Sequence, residues 1–125
     1  MSVAVSSDLS AVLEDFKVRF NTNPRVKRLV EGWNRLVALD ASDTGRKFGL
    51  VVQDTQLTEV RPLDGIDENA EDLVHLQAEE GILRRIFSGA YNPATALTDG
   101  NLAVFSKDRD KVKLEALAML IWRLG

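Results

Sequence analysis

Residues 83–104, LRRIFSGAYNPATALTDGNLAV, decide the fold of this chain. Gly89 and Gly100 each follow an apolar helical stretch, and glycine accepts the positive φ with which many helices end. Asn92 followed by Pro93 marks a helix start, because asparagine caps the first turn and proline fixes its backbone angle. The Leu-Ala-Val sequence near the end alternates like a strand with one buried face. The stretch therefore predicts a helix, a second short helix and then a strand.

Towards the N-terminus, apolar residues at helical spacing predict a helix over 8–20, with Ser7 or Asp8 as its cap. A break follows, after which Asn23 and Pro24 start a second, short helix. Two helices therefore precede the first strand.

The apolar pattern then changes to a period of two, which is typical of strands. Strands are predicted over residues 35–40, 47–53, 58–61 and 73–78. The first three are joined by short turns, which favours an antiparallel meander. Pro62 is expected to stop the third strand, which is short.

Composition limits the kind of protein that this can be. The chain has 125 residues, 45% of them hydrophobic, a net charge of -3, one histidine and no cysteine. This length fits a single domain over 1–125, and the weakly acidic balance argues against a nucleic-acid partner. Without cysteine there is no disulfide scaffold, cysteine-zinc site or thiol nucleophile. No signal peptide or membrane span is apparent, so a cytoplasmic location is expected.

The last helix is predicted to run to Leu124, capped by Asp108 or Asp110. One apolar stripe is wide enough to pack against a sheet, and it consists of Leu114, Leu117, Ala118, Ile121 and Leu124. Met119, Leu120 and Trp122 project outside that stripe. A helix that is apolar on two faces hides the second face in a larger core, in a subunit interface or around a cavity for apolar cargo. The helical pattern leaves all three open.

Three polar features have a structural explanation that we prefer to a functional one. His75 shares a strand face with Gln77, which favours a histidine with hydrogen-bonded ring nitrogens over a catalytic base. The acidic stretch over 64–80 does not have the spacing of a calcium loop, so we interpret it as a solvated loop. The basic residues over 17–28 are interpreted as a solvated helix face, with an anionic ligand site as the alternative.

The second half of the chain resembles the sterol carrier protein type two family. The resemblance rests on the Gly-Ala-Tyr-Asn-Pro-Ala-Thr-Ala motif at 89–96, Gly-Asn-Leu-Ala-Val at 100–104 and Lys-Leu at 113–114. These motifs occur in the family's order, and the order of predicted helices and strands also agrees. Ser106 and Lys107 depart from the pattern, because the family often has glycine followed by Asp or Asn there.

The resemblance implies an α/β (α+β) fold in which helices cover a five-stranded, mostly antiparallel sheet, with an apolar tunnel between the two layers. Family members bind fatty acids, fatty acyl-CoAs, sterols or other lipids without changing them chemically. Some occur as domains of alkyl sulfatases or as accessory factors in ubiquinone synthesis. The leading hypothesis is therefore a non-catalytic carrier of an apolar small molecule, with no metal and no cofactor.

Candidate wall residues are apolar and lie on the motif helices or on the strand between them: Ile82, Ile86, Leu97, Phe105, Leu117, Leu120 and Ile121. Arg84 and Arg85 are candidates for a charged mouth. The alternative is an accessory module that dimerises through Met119 and Trp122 or docks on a lipid-processing enzyme. Transient contact with a membrane surface also stays open. An enzyme is the third class, but no catalytic set can be named.

Overall fold

The computed structural model describes residues 9–124, apart from the side chains at positions 121, 123 and 124. The helices and strands follow in the order α1 (Leu9–Thr22), α2 (Pro24–Leu29), β1 (Arg35–Ala41), β2 (Lys47–Gln53), β3 (Gln56–Pro62), β4 (Leu73–Ala78), α3 (Glu80–Phe87), α4 (Pro93–Thr98), β5 (Ala103–Phe105) and α5 (Lys111–Leu124). The predicted caps Ser7 and Asp8 lie outside the described residues. Within the described part of the chain, no helix is long and apolar enough to cross a membrane.

The five strands form one sheet in the order β3-β2-β1-β4-β5. The meander β1-β2-β3 is antiparallel, as predicted, and β4 and β5 are also antiparallel to each other. β1 and β4 are parallel, with Leu39 opposite Leu76. The prediction of a mostly antiparallel five-stranded sheet is therefore confirmed.

The third strand is longer than predicted. β3 extends over Gln56–Pro62 and is joined to β2 by a two-residue turn in which Asp54 and Thr55 both have positive φ. Such turns match the twist of a hairpin, but they usually contain glycine. Because Asp54 and Thr55 are not glycine, the sequence does not predict this turn. Asn21 of α1 also holds the strand, since it accepts from the backbone N–H of Leu57 at 2.7 Å and donates to its carbonyl at 3.0 Å.

The helix ends are built as the sequence predicts. The Asn23 side chain accepts from the backbone N–H groups of Arg25 and Val26, and Asn92 accepts from that of Ala94 at 3.0 Å. Gly89 and Gly100 have φ of 87° and 80° where α3 and α4 end. Gly89 therefore ends α3 shortly before α4 begins, and Gly100 ends α4 shortly before β5.

The prediction that Asp110 could cap the last helix is wrong, because the Asp110 carboxylate is bound by other side chains. Residues 108–110 form a 3-10 turn, and α5 begins at Lys111. The buried Asp110 carboxylate accepts from Trp33 Nε1 at 2.9 Å and from Arg35 Nη2 at 2.9 Å. These bonds join the start of α5 to the start of β1, and we refer to these three side chains as the Asp110 clamp.

Burial alone would raise the pKa of Asp110. The hydrogen bonds from Arg35 and Trp33, together with the positive charges of Arg35 and Arg109, outweigh that effect and lower the pKa. The carboxylate is therefore ionised over the whole neutral range, and the clamp is a buried ion pair.

Candidate functional site

A cavity of about 100 Å³ lies between the sheet and the helices. On the sheet side it is lined by alternate residues of the strands, since successive side chains of a strand point to opposite faces. These residues are Val37, Leu50, Val52, Leu57, Leu76 and Val104. The sheet therefore forms an entirely aliphatic floor.

The helices and their connections form the opposite wall of the cavity. Here the lining residues are Phe16, Phe20, Trp33, Ile86, Phe87, Pro93, Leu102, Leu114, Leu117 and Ala118. Two ring pairs stiffen this wall, with Phe16 5.0 Å from Phe87 and 5.8 Å from Phe20 between centroids. Among the described residues of this lining, only Trp33 has a polar side-chain group, and its N–H is already donated to Asp110.

A wider cleft of about 430 Å³ lies between α4 and α5. It shares five lining residues with the cavity, and these are Pro93, Leu102, Val104, Leu114 and Ala118. The cleft therefore adjoins the cavity, and its outer part carries the exposed side chains of Leu97 and Met119. Its polar lining residues are Ser106, Lys111 and Glu115. An apolar interior with a few polar groups at one end is the usual form of a site for a small apolar ligand.

Three of the seven predicted wall residues lie around this site. Ile86 and Leu117 are buried and line the cavity, and Leu97 lines the adjoining cleft. These residues come from α3, α4 and α5, so the motif helices do meet at one place.

Three other predicted wall residues lie elsewhere. Leu120 borders a groove between α2 and α5, and Ile82 borders a polar surface pocket beside Gln77. Phe105 is exposed because Val104 faces the cavity and neighbouring strand residues point to opposite faces. The seventh residue, Ile121, has a side chain outside the described residues.

The predicted mouth arginines also lie apart from the site. Neither Arg84 nor Arg85 lines the cavity or the cleft. Arg85 instead packs over the Tyr91 ring, 4.8 Å from its centroid. The basic side chain that does line the cleft is Lys111, at the start of α5.

The residues that sequence analysis missed come mainly from the first half of the chain. Phe16 and Phe20 lie within the helix predicted over 8–20, and Leu50 and Val52 lie within the second predicted strand. The same periodicity that identifies them as buried could have assigned them to the cavity, because they oppose the motif helices. No pattern in the sequence indicates that these apolar faces leave a space between them.

His75 lies on the opposite face of the sheet from the cavity. Its ring nitrogens are 2.8 Å from Glu68 Oε2 and 3.3 Å from Asp40 Oδ2. Gln77 donates to the same Asp40 oxygen at 3.3 Å. His75 therefore has carboxylate partners that join the acidic loop to the sheet, in line with the structural interpretation, and it takes no part in the apolar site.

Neither the family models nor the curated proteins include a match to this chain. Solved structures do match. Sterol carrier protein 2 aligns with a TM-score of 0.64 at 14% identity, covering 92% of this chain and 96% of that one. Palmitated SCP2L2 from Aedes aegypti, solved by NMR in solution, aligns with a TM-score of 0.60 at 19% identity, covering 91% and 94%.

The same fold also matches part of a larger enzyme. The sec-alkylsulfatase Pisa1 from Pseudomonas sp. aligns with a TM-score of 0.55 at 17% identity over 75% of this chain. The chain spans only 14% of the length of that sulfatase. These likenesses define the class of the molecule: it is a small α+β protein with the fold of sterol carrier protein 2. The resemblance seen in residues 89–114 is therefore confirmed at the level of the fold.

Proposed function

We propose that this protein binds an apolar small molecule, such as a fatty acid, in the cavity and cleft, and does so without chemical change. The observation that carries the proposal is the cavity lining, in which no described residue has a charged side chain, together with the adjoining cleft of about 430 Å³. Burying apolar ligand surface there would contribute about 25 cal/mol per Å² before ordering costs. A structural neighbour described as palmitated supports the same class of ligand.

The dimensions of the two spaces favour a single-chain lipid. A cavity of about 100 Å³ is smaller than the 300–1,000 Å³ typical of ligand pockets, so it would receive only the end of a chain. The rest would lie in the cleft and follow the shared residues Leu114 and Ala118. An anionic head would then lie near Lys111, whose Nζ is 3.1 Å from an exposed Asp108 oxygen.

The proposal is tested by native mass spectrometry together with displacement of a fluorescent fatty acid. Ala118 lines both spaces, so Ala118→Phe would block their junction and is expected to reduce uptake at least tenfold. Ala11→Phe, on the exposed side of α1, is the matched control and should bind like the unmodified protein. Absence of uptake by the unmodified monomer, or equal uptake by both variants, contradicts the proposal.

An accessory module with the same fold is the second candidate. It is favoured by the exposure of Met119 and Trp122 on α5. In this role the last helix would contact a second copy or a partner enzyme. Trp122→Glu distinguishes the two functions, because Trp122 lines neither the cavity nor the cleft. An oligomer that this substitution dissociates supports the module, whereas a monomer that takes up lipid equally well with and without the substitution supports the carrier.

A further inference from the structure

An irregular segment between β3 and β4, residues 63–72, crosses the face of the sheet that points away from the cavity, and we call it the strap. The strap contains five acidic residues and no basic one. Its first residue, Leu63, packs on Gly49 of β2, where a Cβ would lie only 3.2 Å from a Leu63 methyl carbon. Gly49 belongs to the outer face because its neighbour Leu50 lines the cavity. The start of the strap is therefore held on the sheet by apolar packing.

The end of the strap is held by the connection between β5 and α5. Lys107 donates to the backbone carbonyls of Ala70 at 3.2 Å and of Glu71 at 3.1 Å. Arg109 donates to the same Glu71 carbonyl, and its Nη1 is 3.3 Å from Glu71 Oε1. This connection also includes Ser106, which lines the cleft. The strap therefore contacts the segment that forms part of the polar end of the cleft.

Glu68 holds the middle of the strap by contacting His75 of β4. Glu68 Oε2 is 2.8 Å from His75 Nδ1, and the other ring nitrogen, Nε2, is 3.3 Å from Asp40 Oδ2. Asp40 has two further partners, since Gln77 donates to Oδ2 at 3.3 Å and Lys47 Nζ is 3.9 Å from Oδ1. The charged groups around His75 are therefore the two carboxylates that contact its ring and the ammonium group beside one of them.

The His75 ring can donate to both carboxylates only when it carries two protons. A neutral imidazole has one N–H donor and one lone pair, so one of the two carboxylates then loses its donor. Histidine side chains commonly change between these states between about pH 5 and 8. The Asp40 side chain is 15% exposed and that of Glu68 is 55% exposed, so Glu68 can turn into water at the lower cost. A neutral ring should therefore keep its N–H on Asp40 and release Glu68.

We propose that protonation of His75 controls whether the strap is held on the sheet. When the ring is protonated, it donates to both carboxylates, and Glu68 holds the middle of the strap. When the pH rises and the ring becomes neutral, Glu68 turns into solvent, and residues 64–69 move more freely between the two held ends. Because the strap contacts the connection between β5 and α5, its release also loosens the polar end of the cleft and speeds dissociation of the ligand. This effect on the ligand rests on the proposed function, whereas the movement of the strap does not.

The test measures the exchange of strap amides with water by NMR on the full chain, at about pH 5.5 and about pH 8. Each rate is corrected for the intrinsic exchange rate at that pH. The informative amides are those of Asn69 and Ala70, which donate to the side chain and the carbonyl of Asp67. An exposed ion pair contributes up to about a fivefold factor, so the protection of these amides should fall about two- to fivefold at the higher pH. Equal protection at both pH values overturns the proposal.

Three variants assign this pH dependence to the contact between His75 and Glu68. His75→Gln does not titrate and should exchange alike at both pH values. Glu68→Gln can accept from the protonated ring or donate to the neutral one, so it should keep the strap held at both. Asp64→Asn removes the same charge from an exposed residue of the strap and should retain the pH dependence of the unmodified chain. A pH dependence that persists in both His75→Gln and Glu68→Gln, or that disappears equally in Asp64→Asn, contradicts the proposal.

A fluorescent fatty alcohol separates this proposal from the proposed function, because the head of that probe does not titrate over this range. The probe should dissociate from the unmodified chain about two- to fivefold faster at the higher pH, and at a rate independent of pH from Glu68→Gln. If the protein takes up neither fatty acid nor fatty alcohol, the carrier function fails, and the exchange rates still decide the strap. If the probe is bound and dissociates equally fast at both pH values while strap exchange changes, the coupling to the cleft fails alone.

Discussion

Replacing Asp110 with alanine should strongly destabilise the protein, because it breaks the clamp between β1 and α5. The Asp110 side chain is 1% exposed and accepts hydrogen bonds from Trp33 and from Arg35, which is 15% exposed. Removing one partner of a buried ion pair costs about 3–5 kcal/mol, since the other charge stays buried without compensation. For a domain of this size, that corresponds to a fall in Tm of roughly 12–20 °C.

Urea denaturation followed by tryptophan fluorescence measures this loss directly. Asp108→Ala is the matched control, because Asp108 is two residues earlier, its side chain is 96% exposed, and its ion pair is with the exposed Lys111. Exposed ion pairs contribute at most about 1 kcal/mol, so the control should remain close to the unmodified protein. If Asp110→Ala loses no more stability than Asp108→Ala, the clamp does not stabilise the contact between α5 and β1.

Three further predictions concern the acid response and the ends of secondary structure. The pKa of Asp110 is lower in the folded protein than its ordinary value of 3.8. The stability that the ionised carboxylate contributes to the fold is therefore complete above pH 3.8 and is lost as the pH falls through the folded-state pKa. Asp110→Asn should therefore show a smaller acid-dependent loss in urea midpoints measured between neutral pH and pH ~2, and an unchanged dependence would refute this. Asn92→Ala removes the cap that accepts from Ala94 and should cost about 1 kcal/mol in thermal unfolding; an unaltered Tm contradicts it. Asn21→Ala should speed hydrogen exchange at the Leu57 amide at least tenfold, and unchanged protection would show that Asn21 does not hold β3.

Much of the fold follows from local signals in the sequence. The asparagine caps at 23 and 92 and the glycines at 89 and 100 fix where helices begin and end, and these features act within a few residues. The strand over 73–78 was also predicted to the residue, since its alternating pattern is bounded by polar residues. The resemblance over 89–114 then selects the arrangement of these elements, which the solved structures confirm.

What the sequence did not reveal depends on contacts between distant residues. The full length of β3 is supported by Asn21, which lies 36 residues before Leu57. The role of Asp110 depends on Trp33 and Arg35, more than 70 residues earlier, and a buried acceptor cannot be distinguished from a helix cap by spacing alone. Neither contact produces a periodic pattern in the sequence.

The candidate site shows the same limit. Ile86 and Leu117 could be selected because they are apolar on the motif helices, but the same rule also selected Phe105, which the strand turns away from the cavity. The aromatic part of the lining, from Phe16 and Phe20, comes from a helix outside the motif. Whether apolar faces pack completely against one another or leave a cavity is decided by packing in three dimensions.

We propose that the space between the sheet and the helices receives an acyl chain. The most direct measurement is the set of intermolecular NOEs between the terminal methyl group of a ¹³C-labelled fatty acid and the methyl groups of the protein. We expect NOEs from that terminal methyl to Ile86 and Leu117, with the carboxyl end of the chain close to Lys111. NOEs confined to surface residues, or a fatty acid that does not bind at all, would contradict it.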